Sequence, residues 1–202
     1  MGSSFEYLAG NPSSESKLSD FTSNALRLFL EGLEQVREAQ VLDVGPVCGE
    51  NISFFAQRVK RLYICDMFFN LSRDSRKNLH PDEVWKHLDY PSQSFDGILL
   101  WNLVDHLDNR EVGRAAELCH KILKPGGGML LSSLTGLSSV GTVACSFVVK
   151  DGYRLNIELR PSMNLPLYVR NNREVLELLL LFRPEKSFRY QNGLREYFFR
   201  RD

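Results

Sequence analysis

Apolar positions along the chain fall into two spacings. Leu26, Phe29, Leu30, Leu33 and Val36 recur at helical intervals after Ser23-Asn24, which predicts an amphipathic helix starting there. The run Gln40-Val41-Leu42-Asp43-Val44, stopped by Gly45, reads instead as a short buried strand. A second helix over about Gly49–Arg58 leads to the strand Leu62-Tyr63-Ile64-Cys65, which ends in Asp66. Residues 68–78 are weakly helical, Val84–Leu88 reads as a short third strand, and Phe95–Asn102 as a buried fourth. Asp108 offers an N-cap to a helix striped by Val112, Ala115, Ala116, Cys119, Ile122 and Leu123. Pro125-Gly126-Gly127 ends that helix, and Met129–Leu131 opens the next strand.

Strands alternating with helices predict an α/β fold, a doubly wound, mostly parallel sheet with helices on both faces. The last third differs. Val143–Lys150 and Tyr153–Arg160 flank Asp151-Gly152, a two-residue turn signal that predicts a hairpin pairing Val148 with Leu155 and Ala144 with Leu159. A helix over about Asn172–Phe182 precedes a second hairpin turned at Asn192-Gly193, with Arg189 opposite Glu196. Residues 1–20, rich in Ser, Asn and Gly, read as a flexible lead-in, and 21–202 as one domain carrying an inserted hairpin at 143–160.

Composition narrows the function classes. The 202 residues carry 25 Lys+Arg against 25 Asp+Glu, and this neutrality argues against a dedicated nucleic-acid binder. No apolar run approaches the roughly 20 residues of a membrane span. The N-terminus lacks a basic region followed by an apolar one, so a cytoplasmic location is expected. Cys48, Cys65, Cys119 and Cys145 show no paired spacing and His80, His87, His106 and His120 do not cluster with them, so no metal site is predicted.

In such sheets, ligands bind outside the C-terminal ends of the strands. The residues predicted to stand there are Asp43 with Gly45-Pro46-Val47-Cys48-Gly49, then Asp66, Asp89-Tyr90 and Trp101-Asn102. Three aspartates at strand ends suit a ribose, an amine or a cation better than a phosphate. In their order and spacing these segments, with Leu123-Lys124-Pro125-Gly126-Gly127, resemble a class I S-adenosylmethionine-dependent methyltransferase, over roughly residues 24–202. The chain is similar to the small bacterial-type members, with a divergent glycine loop.

The resemblance implies a Rossmann-like, seven-stranded sheet ending in an antiparallel hairpin, with S-adenosylmethionine as cofactor. It implies that Asp43, Gly45 and Gly49 form the glycine turn, that Asp66 takes the ribose hydroxyls, and that Met67 or Phe68 covers the adenine. Asp89, beside Tyr90, would meet the adenine amino group, with Trp101 and Asn102 at the cleft. Asp105 and His106 are the nearest ionisable groups to the reacting centre, and no catalytic residue is assigned. The acceptor, a small molecule or a protein, would sit under the inserted hairpin and the first helix, with Tyr168 and Arg170 at the mouth.

One departure matters. The middle glycine is Val47, a residue that disfavours positive φ and adds bulk. Either the loop takes another path, or cofactor affinity is reduced or lost. The alternative to an enzyme is therefore a degenerate domain that binds a ligand or partner without catalysis. Other ligand classes fit less well: there is no Gly-x-Gly-x-x-Gly for a dinucleotide, no Gly-Lys-Ser/Thr for a P-loop, no Gly-x-Ser-x-Gly nucleophile elbow, and no Asn/Asp-Pro-Pro-Tyr/Phe amino-methyltransferase motif.

Overall fold

The structure is a computed structural model that describes residues 17–77, 81–134, 143–191 and 193–202. The elements run in the order β1 (Lys17–Thr22), α1 (Asn24–Glu34), β2 (Gln40–Asp43), α2 (Gly49–Ala56), β3 (Arg61–Ile64), α3 (Met67–Lys77), α4 (Pro81–Trp85), β4 (Phe95–Trp101), α5 (Asn109–Ile122), β5 (Leu123–Ser133), β6 (Val143–Lys150), β7 (Arg154–Asn164), α6 (Asn172–Leu178), β8 (Arg183–Arg189) and β9 (Arg195–Arg200). Short 3-10 turns at Lys86–Leu88 and Leu103–His106 complete the order.

Six strands form the main sheet, in the order β3-β2-β4-β5-β9-β8. β3, β2, β4 and β5 are parallel, whereas β9 runs antiparallel to β5 and β8 to β9. Among the described residues the sheet is thus mixed and has six strands rather than seven. Val84–Leu88 is helical, because its buried residues Val84, Trp85 and Leu88 recur at i, i+1 and i+4, while Lys86 and His87 face solvent.

Side chains alternate across the central strands and bury both faces. Leu42, Ile98, Leu100, Met129, Leu131 and Phe199 pack on one side with α3, α5 and α6. Val41, Leu99, Trp101, Leu130 and Phe198 pack on the other with α1 and α2. β6 and β7 also press an apolar face (Cys145, Phe147, Val149, Leu155 and Ile157) onto this second layer. With β1 they form a three-stranded sheet, β1-β7-β6. Lys17–Asp20 of the expected lead-in is therefore paired strand, and residues 1–16 lie outside the described residues.

Both hairpin registers differ from expectation by one residue. Lys150 pairs with Arg154, so Asp151-Gly152-Tyr153 is a three-residue turn with Gly152 and Tyr153 at φ 68° and 60°. Val149 therefore faces Leu155, and Cys145 faces Leu159. In the C-terminal hairpin Arg189 faces Arg195, and Phe188 faces Glu196. Glu196 is buried there and accepts hydrogen bonds from Ser23 Oγ (2.6 Å), Tyr190 Oη (2.6 Å) and the Ala25 amide (3.3 Å), tying β9 to the start of α1. Among the described residues no helix is long and apolar enough to cross a membrane.

Candidate functional site

The turn from β2 into α2 is set by Asp43. Its Oδ1 accepts the Gly45 amide (2.9 Å), the local bond by which an aspartate turns its own backbone two residues on. The same oxygen accepts the indole N–H of Trp101 (2.7 Å) at the end of β4. Burial raises the Asp43 carboxyl to about 6; the bonds from Gly45 and Trp101 partly oppose this, and the charge of Asp66 adds to it.

Neither Gly45, Val47 nor Gly49 has positive φ, so the divergent loop takes a path that a β-branched residue adopts without strain. Pro46 is buried, the Val47 side chain is 54% exposed, and the Val47 amide turns to Asp66 Oδ2 (3.0 Å). Asp66 also caps α3 by accepting the Phe69 amide on Oδ1 (2.8 Å). This half-buried carboxylate therefore sits between two exposed apolar side chains, Val47 and Phe69 (52% exposed). Met67 and Phe68, the expected adenine cover, are fully buried in the core. Phe69 is the aromatic at this rim, and its mark in the sequence is an apolar residue off the buried stripe of α3.

Asp89 and Tyr90 are not brought to the strand ends. Asp89 pairs with Lys121 (3.0 Å) in the last turn of α5, and the Lys121 carbonyl accepts from Ser92 Oγ and the Gln93 amide just before β4 begins. Tyr90 packs edge-on against Phe95, the first residue of β4 (5.1 Å). Both therefore lie at the N-terminal ends of the strands, opposite Asp66. Among the described residues, no strand between α3 and β4 carries this segment back up.

Beyond β4, Asn102 is buried and donates from Nδ2 to His106 Nε2 (3.1 Å). His106 Nδ1 faces the Pro166 carbonyl (2.8 Å), which can only accept, so the proton sits on Nδ1. Burial holds this imidazole below its ordinary pKa. Asn102 Oδ1 is buried without a hydrogen-bond partner. Asp105 accepts from Ser133 Oγ (3.0 Å) and the Leu134 amide (2.7 Å), and burial pushes its carboxyl up to about 7 against the opposing pull of those bonds and of Arg170. Arg170 reaches the carbonyls of Val104 and Leu107 (each 2.6 Å), pinning the 3-10 turn that carries Asp105 and His106. Tyr168, beside it, is exposed and its ring faces the Arg170 guanidinium (5.4 Å).

The β6–β7 hairpin closes the other flank. Asn51, a polar residue on the buried face of α2, donates Nδ2 to the Phe147 carbonyl (2.8 Å) and accepts the Val149 amide on Oδ1 (2.7 Å). Phe147 in turn stacks on Trp101 (centroids 5.3 Å apart, planes 11° apart). Sequence reasoning gives neither Asn51, close behind the glycine turn, nor Phe147 a role. The only signal for Asn51 is a polar residue four before the core Phe55.

A methyltransferase-domain family model matches residues 16–185. The chain belongs to that family. No curated protein matches the sequence significantly. Solved structures give the fold of this methyltransferase domain. An S-adenosylmethionine-dependent methyltransferase from Mesorhizobium loti is similar at 13% identity and TM-score 0.53, over 88% of this chain and 96% of that one. A Burkholderia thailandensis 1,6-didemethyltoxoflavin-N1-methyltransferase, with 1,6-didemethyltoxoflavin and S-adenosylhomocysteine bound, is similar at 19% identity and TM-score 0.50, over 88% of this chain and 78% of that one. N-methyltransferase NodS from Bradyrhizobium japonicum WM9 with S-adenosylhomocysteine gives 16% identity and TM-score 0.50, over 88% and 85%.

Proposed function

We propose that the chain transfers a methyl group from S-adenosylmethionine to a small-molecule or protein acceptor in the cytoplasm. The observation that carries this reading is Asp66, a half-buried carboxylate between the exposed Val47 and Phe69 at a parallel-strand end, in a chain of the methyltransferase-domain family. All four cysteines are buried thiols, which suits a reducing compartment.

The residues fit an adenosyl cofactor on this flank. Asp66 keeps lone pairs beyond the two given to amides, enough to accept from a vicinal diol. Val47 and Phe69 offer apolar surface for a base. A Cβ on Gly49 would meet nothing within 4 Å, which leaves a ligand room beside the first turn of α2. Asn102 Oδ1 is a buried acceptor awaiting a donor. When bound, S-adenosylmethionine supplies a methyl group on a sulfonium, reactive enough that the protein's work is alignment. Asp66 would orient the ligand and the Arg170-pinned turn would hold Asn102 and His106 in place. Asp105 holds its proton up to about neutral pH, but both its oxygens are engaged, so no general base is assigned.

Titration with S-adenosylmethionine and S-adenosylhomocysteine tests the reading by thermal shift. Both are expected to raise Tm, and Asp66→Ala to abolish the rise. Unchanged Tm at millimolar concentrations of both would leave a domain without this cofactor.

A further inference from the structure

The Gly45 side of the turn carries a second feature, which rests on the cofactor reading above. A Cβ built on Gly45 would lie 2.4 Å from Trp101 Cδ1 and 2.8 Å from its Nε1. The space left by the missing side chain is thus taken by an indole of the chain itself. At Gly49, four residues on, the corresponding space is open.

Trp101 holds that position at some cost. Its φ is 49°, a left-handed conformation that is strained for a bulky residue and persists only where its surroundings hold it. Two side-chain contacts hold the indole there, the bond to Asp43 Oδ1 and the stack on Phe147. Phe147 is fixed in turn, because Asn51 clasps the backbone on either side of Val148 to the first turn of α2. Indole, hairpin and glycine turn are therefore one mechanical unit. The next residue, Asn102, carries the buried Oδ1 without a partner, an acceptor that rearrangement at the end of β4 can satisfy.

We propose that Trp101 is a displaceable plug: its indole occupies ligand space over Gly45, and S-adenosylmethionine or its demethylated product binds by driving it out against the Asp43 bond and the Phe147 stack. The strained backbone favours release once those two contacts are given up. Affinity is then set partly by the hairpin, although β6 is remote from Gly45 in sequence.

The test uses the full chain with Trp85→Phe, which leaves Trp101 as the one tryptophan, titrated with S-adenosylhomocysteine. The emission of Trp101 is expected to shift to the red with a saturable dependence on ligand. By calorimetry, Phe147→Ala and Trp101→Phe are expected to bind about tenfold more tightly than the parent; the two remove the stack and the Asp43 bond separately, so one misfolded variant does not end the test. Binding in a variant when the parent does not bind also supports the plug. Ligand binding with unchanged Trp101 emission and equal affinity in both variants would overturn it while leaving the cofactor reading intact. Absence of binding in parent and folded variants alike would overturn both.

Discussion

Gly45 and Gly49 stand four residues apart in one turn and meet opposite surroundings. At Gly45 an added methyl group runs into the Trp101 indole, whereas at Gly49 it points into open space. The contrast extends to two flanks of the turn. On the first, Asp43, Trp101, Phe147, Asp105 and Leu134 are almost wholly buried. On the second, Val47 and Phe69 are exposed and their amides bond a half-buried Asp66. A single glycine turn therefore contains one glycine packed against an indole and one in open space. The largest expected effect follows directly. Gly45→Ala should cost about 2–3 kcal/mol by overpacking a closed site, whereas Gly49→Ala should change stability by less than about 0.5 kcal/mol. Urea denaturation of the two variants measures the difference, and equal costs would abolish the distinction between the flanks.

The closed flank also differs in how it holds protons. Asp105 is raised to about 7 and Asp43 to about 6, against an ordinary value of 3.8, in both cases chiefly by burial. Between these values the folded chain keeps protons that the unfolded chain releases. The contribution of both groups to stability is therefore fully present below about pH 4 and is lost as pH rises towards 7. Denaturation midpoints at pH 5 and pH 8 are expected to show a fall assignable to these groups. Asp105→Asn should flatten it, gaining about 1–2 kcal/mol at pH 8 relative to the parent. The amide can keep both bonds, because the Ser133 hydroxyl accepts as readily as it donates. An undiminished pH dependence in the variant would show that Asp105 is not the buried titrating group.

How much of this was legible in the sequence depends on the range of the cause. β2, β4 and β5 were read correctly because strands buried on both faces leave continuous apolar runs. The position of Asp66 followed from the strand it ends. Val84–Leu88 was misread because five residues with three apolar positions satisfy a strand or a helix, and the choice falls to packing. The register of the β6–β7 hairpin differs because Asp-Gly signals a two-residue turn, while Tyr153 takes a left-handed conformation and lengthens it. Trp101 was legible as buried and as standing at the strand end. Its actual partners, Asp43 and Phe147, lie 58 residues before it in the chain and 46 after it, and no local pattern joins them.

Asp89 gives the smallest expected effect and the sharpest check on where the open flank ends. Its order and spacing in the sequence matched it with Asp66 as a second ligand contact, yet its carboxylate pairs with Lys121 at the far end of the strands. Both side chains of that pair are largely exposed, so solvent screens their attraction and its loss costs well under 1 kcal/mol. Asp89→Ala should therefore leave S-adenosylhomocysteine affinity unchanged in calorimetry, and stability nearly so. Asp66→Ala is the contrasting case, since it removes the cap on the Phe69 amide, worth about 1 kcal/mol, along with the carboxylate proposed to meet the ligand. A tenfold loss of affinity in Asp89→Ala would mean that this segment reaches the C-terminal strand ends when ligand binds. The open flank would then extend past Asp66 to a third acidic residue, and the missing third strand would no longer mark its limit.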